Sequence, residues 1–171
     1  MANENWCMIG YHSVSVLADA VAKGLPLDKQ AVLQAMVNSS TIPYYDGTKE
    51  YMEKGYVALD HNGSAASLTL EYAYDDWAIY QTARLAGNAQ VAATYKQRAT
   101  NFAKMFDPAI GYARPRYADG RWKEPFSLLS THGEGFIEGN ALNYSFYVPQ
   151  DVDRLIELMG GEQTFVSKLD S

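Results

Sequence analysis

Residues 67–86 constrain this chain more than any other stretch. Leu68, Leu70, Tyr72, Ala73, Tyr74, Trp77, Ile79, Tyr80, Ala83 and Leu85 go nearly all the way around a helical wheel. A helix with no clean polar face must be buried on most sides, so other elements have to wrap around it. Ser67 reads as its N-cap and Gly87 as its stop. The same stretch carries Glu71, Asp75 and Asp76. A carboxylate taken out of water needs donors, a cation or a raised pKa, so these acids are expected to have partners.

The remaining periodicity predicts more helices. Residues 13–23 place Val14, Leu17, Ala18 and Val21 on one face and stop at Gly24 and Pro26. Asp28 is a candidate N-cap for a second helix with Ala31, Val32, Ala35 and Met36 on its inner face, and the two read as an antiparallel pair. Residues 40–67 show no regular period, and a loop that long in a compact domain usually carries function or covers something. Residues 88–106 read as an outer helix with a stripe of Val91, Ala92, Tyr95, Ala99, Phe102, Ala103 and Phe106. Residues 114–122 read as a hairpin turning at Asp119-Gly120. Pro149 is expected to open a helix through Met159, stopped by Gly160-Gly161, and a last short helix is expected from Glu162. The alternation of inner and outer helices predicts an all-α layered toroid, of which this chain is a part.

Composition removes several function classes. Apolar residues at 47% and charged residues at 20% describe a globular chain, and the net charge of -6 with no basic stripe argues against nucleic acid as a partner. No apolar run reaches the roughly 18 to 20 residues that span a bilayer, and the N-terminus lacks a basic segment followed by an apolar core. The single Cys7 excludes an intramolecular disulfide, and His12, His61 and His132 have no zinc-hydrolase spacing. His132-Gly133-Glu134-Gly135 is the nearest approach to a phosphate-binding loop and reads as a flexible turn. Aromatic residues reach 13%, with 13 tyrosines, which favours carbohydrate contacts and half-buried packing alike.

Three constellations carry possible chemistry. In Glu71-Tyr72-Ala73-Tyr74-Asp75-Asp76-Trp77 the acids either serve a ligand or accept hydrogen bonds from loop amides and arginines. Glu138, between Phe136-Ile137 and Gly139, stands where a carboxyl can have the raised pKa of a general acid, or where it satisfies the amides of a helix start. Arg114-Pro115-Arg116 with Asp119-Gly120-Arg121-Trp122 is cationic and aromatic, and can bind a carboxylate of the protein itself as easily as a sugar.

Taken together, these motifs resemble glycoside hydrolase family 92. The resemblance rests on Glu71 to Trp77, Phe106-Asp107-Pro108 with Gly111-Tyr112, Arg114 to Arg116 with Asp119-Gly120 and Trp122, and Glu138-Gly139-Asn140-Ala141 with Tyr144 and Val148-Pro149. Ile9-Gly10-Tyr11-His12 and Leu158-Met159-Gly160-Gly161 also fit, and order and spacing are kept over nearly the whole chain. The resemblance implies a calcium-dependent exo-α-mannosidase acting with inversion, built as an (α/α)6 toroid beside an N-terminal β-sandwich. It implies Glu138 as the general acid and places sugar contacts at Asp75, Asp76, Trp77, Arg114, Arg116 and Asn140. The family's base belongs to a later acidic motif that does not occur in these residues. The chain is therefore expected to be a partial catalytic domain over residues 1–171, lacking the sandwich and the C-terminal part of the toroid, and inactive alone.

Three positions depart from the family pattern. Leu142 and Asn143 stand where Trp and Gln are usual, and Gln150 where His is usual. The calcium ligands are not assignable from these residues. The competing readings are a non-catalytic helical glycan-binding or scaffold module, and an all-α domain whose acids only tie loops to helices. The parent is expected to be periplasmic or secreted. Helix faces left open by a partial toroid predict self-association of the isolated chain.

Overall fold

The computed structural model describes residues 9–131 and 133–170, so Cys7 and His132 lie outside the described residues. The order is α1 (Ser13–Ala22), α2 (Lys29–Ser39), α3 (Thr48–Lys54), α4 (Ala65–Leu85), α5 (Ala89–Arg98), a 3-10 helix (Asn101–Met105), β1 (Phe106–Asp107), β2 (Tyr112–Ala113), α6 (Ala141–Tyr144), α7 (Val152–Leu158) and α8 (Glu162–Leu169). This is a mostly helical chain with short β-hairpin segments.

The apolar helix is α4, and 15 of its 21 residues are buried. It separates two apolar cores. Leu68, Tyr72, Ile79 and Ala83 face one, with Tyr11 just before α1, Val14 of α1, Leu33 and Met36 of α2, and Tyr51 of α3. Ala66, Leu70 and Ala73 face the other, with Phe102, Met105, Phe136, Val148, Leu155 and Met159. Because both flanks are filled from distant parts of the sequence, α4 is the element on which the chain assembles.

Several boundaries move from the sequence expectation, each for a local reason. Helix α4 starts after Ser64, and Ser67 lies buried inside its first turn. The free amides of that turn go elsewhere: Ala66 and Ser67 donate from their backbone N–H groups to the Gly135 carbonyl at 2.9 and 3.2 Å. Residues 40–67 contain α3, set between Gly47 and Gly55, whose φ angles of 80° and 78° only glycine adopts freely. Helix α2 buries Leu33 and Met36, while Ala31 is exposed. The outer helix expected over 88–106 ends at Arg98 and continues as the 3-10 helix. Helix α7 begins at Val152, three residues beyond Pro149, because Asp151 caps it by accepting from the Arg154 amide at 3.2 Å. The hairpin at 114–122 is present as a bridge between Arg116 and Trp122 turning at Gly120. The strand pair Phe106↔Ala113 and Asp107↔Tyr112 precedes it and was not expected.

Asp76 ties the α4 core together. It has no exposure, and it accepts from the Tyr11 hydroxyl at 2.7 Å, the Tyr51 hydroxyl at 3.0 Å and Arg98 Nε at 2.8 Å. Burial pushes its carboxyl upward, and the Arg98 guanidinium is the largest opposing influence. Removing one member of such a pair strands the other charge in the core. We expect Arg98→Met to cost about 3–5 kcal/mol in urea denaturation, against about 0–1 kcal/mol for Arg154→Met, whose partner Glu157 is exposed. Equal midpoints for the two variants would refute this account.

Candidate active site

The loop that carries Glu138 is docked on the N-terminal end of α4. Gly135 donates to the Gly63 carbonyl at 2.8 Å while its own carbonyl accepts from Ala66 and Ser67. A Cβ at Gly135 would run into the Pro115 ring, so only glycine allows this approach. The Ile137 amide then donates to the Ser67 hydroxyl at 3.3 Å. Glu138 follows with φ of 52°, the one non-glycine positive φ among the described residues. Such left-handed backbone costs about 1–2 kcal/mol and persists where its surroundings enforce it. The Glu138 side chain is exposed, not enclosed by Phe136 and Ile137 as the sequence suggested.

Beneath that loop, α4 presents a polar stripe on its otherwise apolar surface. Ser67, Glu71 and Asp75 follow one another at intervals of four residues and so share a face. His12, just before α1, sits across this stripe. Its Nδ1 lies 2.8 Å from Asp75 Oδ1, and its Nε2 lies 3.1 Å from Glu71 Oε2. The second approach is off the direction of a hydrogen bond, so Glu71 Oε2 is ion-paired yet accepts no well-directed hydrogen bond among the described residues. Asp75 also accepts from the Tyr11 amide at 2.7 Å. Burial pulls the His12 imidazole down, but its interactions with Asp75 and Glu71 outweigh it and push its pKa up to about 10. Burial pushes Asp75 up to about 6, with His12 pulling it back.

Two tyrosines complete the cluster. The Tyr144 hydroxyl donates to Glu71 Oε1 at 3.3 Å, and the Tyr147 ring packs beside it. Burial first, then the charge of Glu71, pushes Tyr144 up to about 12, and Glu138 acts on it in the same direction. Burial and Glu71 raise Tyr147 as well. From Tyr144 the rings form a row: Tyr147 at 6.4 Å, Tyr74 a further 5.9 Å on, and Trp77 a further 6.0 Å on. The site thus has an exposed carboxyl, a buried network of His12 with two acids, and a row of half-buried aromatic rings. Such rings present apolar faces and hydroxyl edges together, as sugars require.

These features agree with the comparison to known proteins. The Glycosyl hydrolase family 92 catalytic domain matches residues 1–171. The chain belongs to glycoside hydrolase family 92. The family GH92 α-mannosidase BT3965 from Bacteroides thetaiotaomicron superposes with a TM-score of 0.93 at 39% identity, over 98% of this chain and 22% of that protein. The family GH92 inverting mannosidase BT2199 of the same organism superposes with a TM-score of 0.94 at 33% identity, over 99% and 24%. A protein of Arthroderma benhamiae named an uncharacterized secreted glycosidase is 25% identical over 94% of this chain and 26% of its own length. The chain therefore spans about a quarter of the length of these relatives.

Within this GH92 chain the sequence-predicted residues have separate surroundings. Asp75 belongs to the His12 cluster with no exposed surface. Asp76, about 100° further round α4, has no exposed surface and is hydrogen-bonded to Tyr11, Tyr51 and Arg98. Trp77 is half-buried, in a groove of about 570 Å³ between α1 and α4 that includes Ala18, Tyr74 and Gln81. It lies about 9 Å along the helix axis from Glu71.

The arginines bind the protein itself. Arg114 bonds to Asp107 at 2.8 Å, to the Lys123 carbonyl and to Glu124, and its guanidinium lies over the Phe126 ring. Arg116 bonds to the Gly120 and Lys104 carbonyls and lies between the Tyr56 and Trp122 rings. Both brace the hairpin, and their donors are not turned to a ligand. Asn140 caps α6, accepting from the Leu142 and Asn143 amides at 3.0 and 3.4 Å. Asn143 closes the reciprocal box by accepting from the Asn140 amide at 2.8 Å. Leu142 is half-buried, and both polar atoms of the Gln150 amide are buried without a hydrogen bond among the described residues.

His12, Ser67 and Tyr147 were not picked out as site residues from sequence. The four-residue spacing of Ser67, Glu71 and Asp75 was the available signal. Among the described residues no group of three or more His, Cys, Asp and Glu converges where a metal ion could sit. The acids are paired with His12 and Arg98 and the Asn143 oxygen is engaged in its cap, so the described residues do not by themselves fit a calcium site.

The His12 cluster makes a pH-dependent prediction. The imidazole binds its proton more tightly folded than unfolded, so its stabilisation is complete below pH 6.5 and is lost as pH rises through about 10. The stability gap between wild type and His12→Gln is expected to close over that window. An NMR titration of the His12 ring with a midpoint near 6.5 would rule the cluster out as described.

Proposed function

We propose that this chain forms the acid-bearing part of a GH92 exo-α-mannosidase that cleaves terminal α-mannosides with inversion. The observation that carries the reading is Glu138, exposed on strained backbone beside the aromatic row and docked on α4 by Gly135. Inverting hydrolysis uses one carboxyl to protonate the leaving oxygen and a second to activate water on the opposite face of the sugar, the two about 6.5–9.5 Å apart. Glu138 is the acid in this scheme. A general acid works shielded from water, so bound substrate and further protein would have to cover its exposed carboxyl.

Glu71, Asp75 and Asp76 are poor candidates for the base, since each is buried and already engaged with His12 or Arg98. The base then comes from outside these residues, and residues 1–171 act as one partial catalytic domain of a longer protein. Mannoside binding is supported by a relative, the α-mannosidase BT3965, whose structure is known in complex with mannoimidazole. Calcium belongs to the proposal for the whole protein, with ligands from outside the described residues and no step derived through it here. The secreted relative supports an extracellular or periplasmic location for the parent.

The test is mannose release from α-1,2-mannobiose, with and without calcium, by the full-length protein and by the 171-residue chain. Release by the full-length protein alone, lost by a factor of 10² or more in Glu138→Gln, is the expected result. Turnover by the 171-residue chain itself would place a base among residues assigned structural contacts above. Turnover that survives Glu138→Gln would remove Glu138 from the acid role.

The isolated chain is also proposed to self-associate. Val16 and Leu129 stand 70% and 65% exposed, and Trp77 borders the open groove between α1 and α4. Light scattering is expected to show mass above the monomer as concentration rises, and a constant monomer mass would contradict it.

A further inference from the structure

Ser67 is fully buried in the first turn of α4, and its side chain reaches out of the helix. Its backbone amide donates to the Gly135 carbonyl at 3.2 Å, and its hydroxyl accepts from the Ile137 amide at 3.3 Å. One residue therefore holds the loop on both sides of Phe136, which is itself buried in the second core. The other buried hydroxyls of α4 make a contrast. Thr82 turns back on its own helix and donates to the Ala78 carbonyl at 3.1 Å. Thr69 donates to the Ala65 carbonyl at 2.8 Å and accepts from the Val57 amide at 3.0 Å. A serine hydroxyl competes for backbone groups and so weakens a helix interior, which makes its partner the informative feature. At Ser67 that partner is the residue next to Glu138.

Glu138 follows that anchor directly. Its φ of 52° is left-handed, a conformation that a glutamate keeps only where neighbouring bonds enforce it. On the far side the Asn140 amide is fixed by donating to Asn143 Oδ1 at 2.8 Å. Glu138 and Gly139 thus form a short arch between two anchored amides, and the way its ends are held sets the direction of the Glu138 Cβ. The strain of one left-handed residue and the contribution of one buried hydrogen bond are of the same order. Loss of the Ser67 hydroxyl is therefore enough to let residue 138 relax to ordinary backbone, which turns its carboxyl elsewhere.

We infer that Ser67 is a positioning residue for the acid: by holding the Ile137 amide, its hydroxyl keeps Glu138 in the left-handed conformation that aims its carboxyl at the leaving oxygen of a mannoside. The inference rests on the mannosidase reading above, in which Glu138 is the general acid, and adds the group that sets the acid's direction. Ser67 is buried and touches no substrate, so it acts only through the loop. A misdirected acid fails selectively. A sugar leaving group departs as an alkoxide unless it is protonated, so cleavage of mannobiose needs the acid in place. A dinitrophenolate is a stable anion and leaves without a proton. Misplacement of a reacting group by about 1 Å costs roughly 10²-fold in rate.

The experiment compares turnover of α-linked mannobiose and of dinitrophenyl α-mannoside by the full-length protein, in wild type, Ser67→Ala, Glu138→Gln and Thr69→Val. Both substrates are measured on one preparation, so their ratio does not depend on the fraction that is folded. Ser67→Ala is expected to lower kcat on mannobiose about 10- to 100-fold with KM little changed, and to lower kcat on the aryl mannoside several-fold less. Glu138→Gln is expected to show the same selectivity more strongly. Thr69→Val also removes a buried hydroxyl that holds a backbone amide, but one leading to Val57 and not to the Glu138 loop, and is expected to keep the wild-type ratio. Equal losses on both substrates in Ser67→Ala, or no loss on either, overturn the inference, while selectivity in Glu138→Gln keeps the acid reading. A ratio shift in Thr69→Val as large as that in Ser67→Ala makes the effect structural and overturns the inference as well. Selectivity in neither Ser67→Ala nor Glu138→Gln overturns both readings. Should Ser67→Ala fail to fold, Ser67→Cys, with a weaker acceptor, is read in its place with the same outcomes.

Discussion

Burial of three carboxylates in one apolar helix is the constraint on which the rest of this structure depends. Charges in a core are tolerated only with matched partners, and α4 recruits those partners from distant sequence. Asp76 draws in Tyr11, Tyr51 and Arg98, from before α1, from α3 and from the end of α5. Asp75 and Glu71 take His12 between them. The electrostatic requirement and the burial of apolar surface therefore select the same arrangement, because satisfying these acids brings α1, α3 and α5 against α4. Where hydrophobic pattern and polar pairing agree in this way, alternative packings are penalised twice.

The same helix connects the fold to chemistry. Its first turn gives up two amides to the Gly135 carbonyl, and that docking carries Glu138 over the stripe of Ser67, Glu71 and Asp75. The cost of holding a glutamate at φ of 52° is offset by a loop that is anchored on both sides. It is anchored before Glu138 by Gly63 and Ser67, and after it by the cap that Asn140 and Asn143 make for α6. Asn143 shows how a departure from the family pattern can be absorbed locally, since its shorter amide closes the cap on its own helix.

Much of the fold was legible in the sequence, for identifiable reasons. Helices α1, α4 and α8 announce themselves through periodicity or clear stops, and the Asp28 cap of α2 forms as expected. The misses fall where a non-local bond outweighed a local signal. Ser67 has the residue type of a cap, yet it became an interior residue because Gly135 supplies the acceptor for the first turn. Helix α3 has too few residues for a periodic stripe and is defined by its two flanking glycines. The strand pair of Phe106–Asp107 with Tyr112–Ala113 is too short to show alternation.

For the site, sequence alone determined which residue types are present and which of them share a helical face. Ser67, Glu71 and Asp75 lie on one stripe of α4 wherever that helix is placed, because 3.6 residues complete a turn. It also determined that acids in an apolar helix must find partners. Only the tertiary structure decided which partners those are. Arg98 went to Asp76 and His12 to Asp75 and Glu71, while Arg114 and Arg116 turned inward to brace their own hairpin. Residue type states what a side chain can do. Which atoms come within 3 Å of it depends on contacts between segments far apart in the chain, and periodicity carries no information about those.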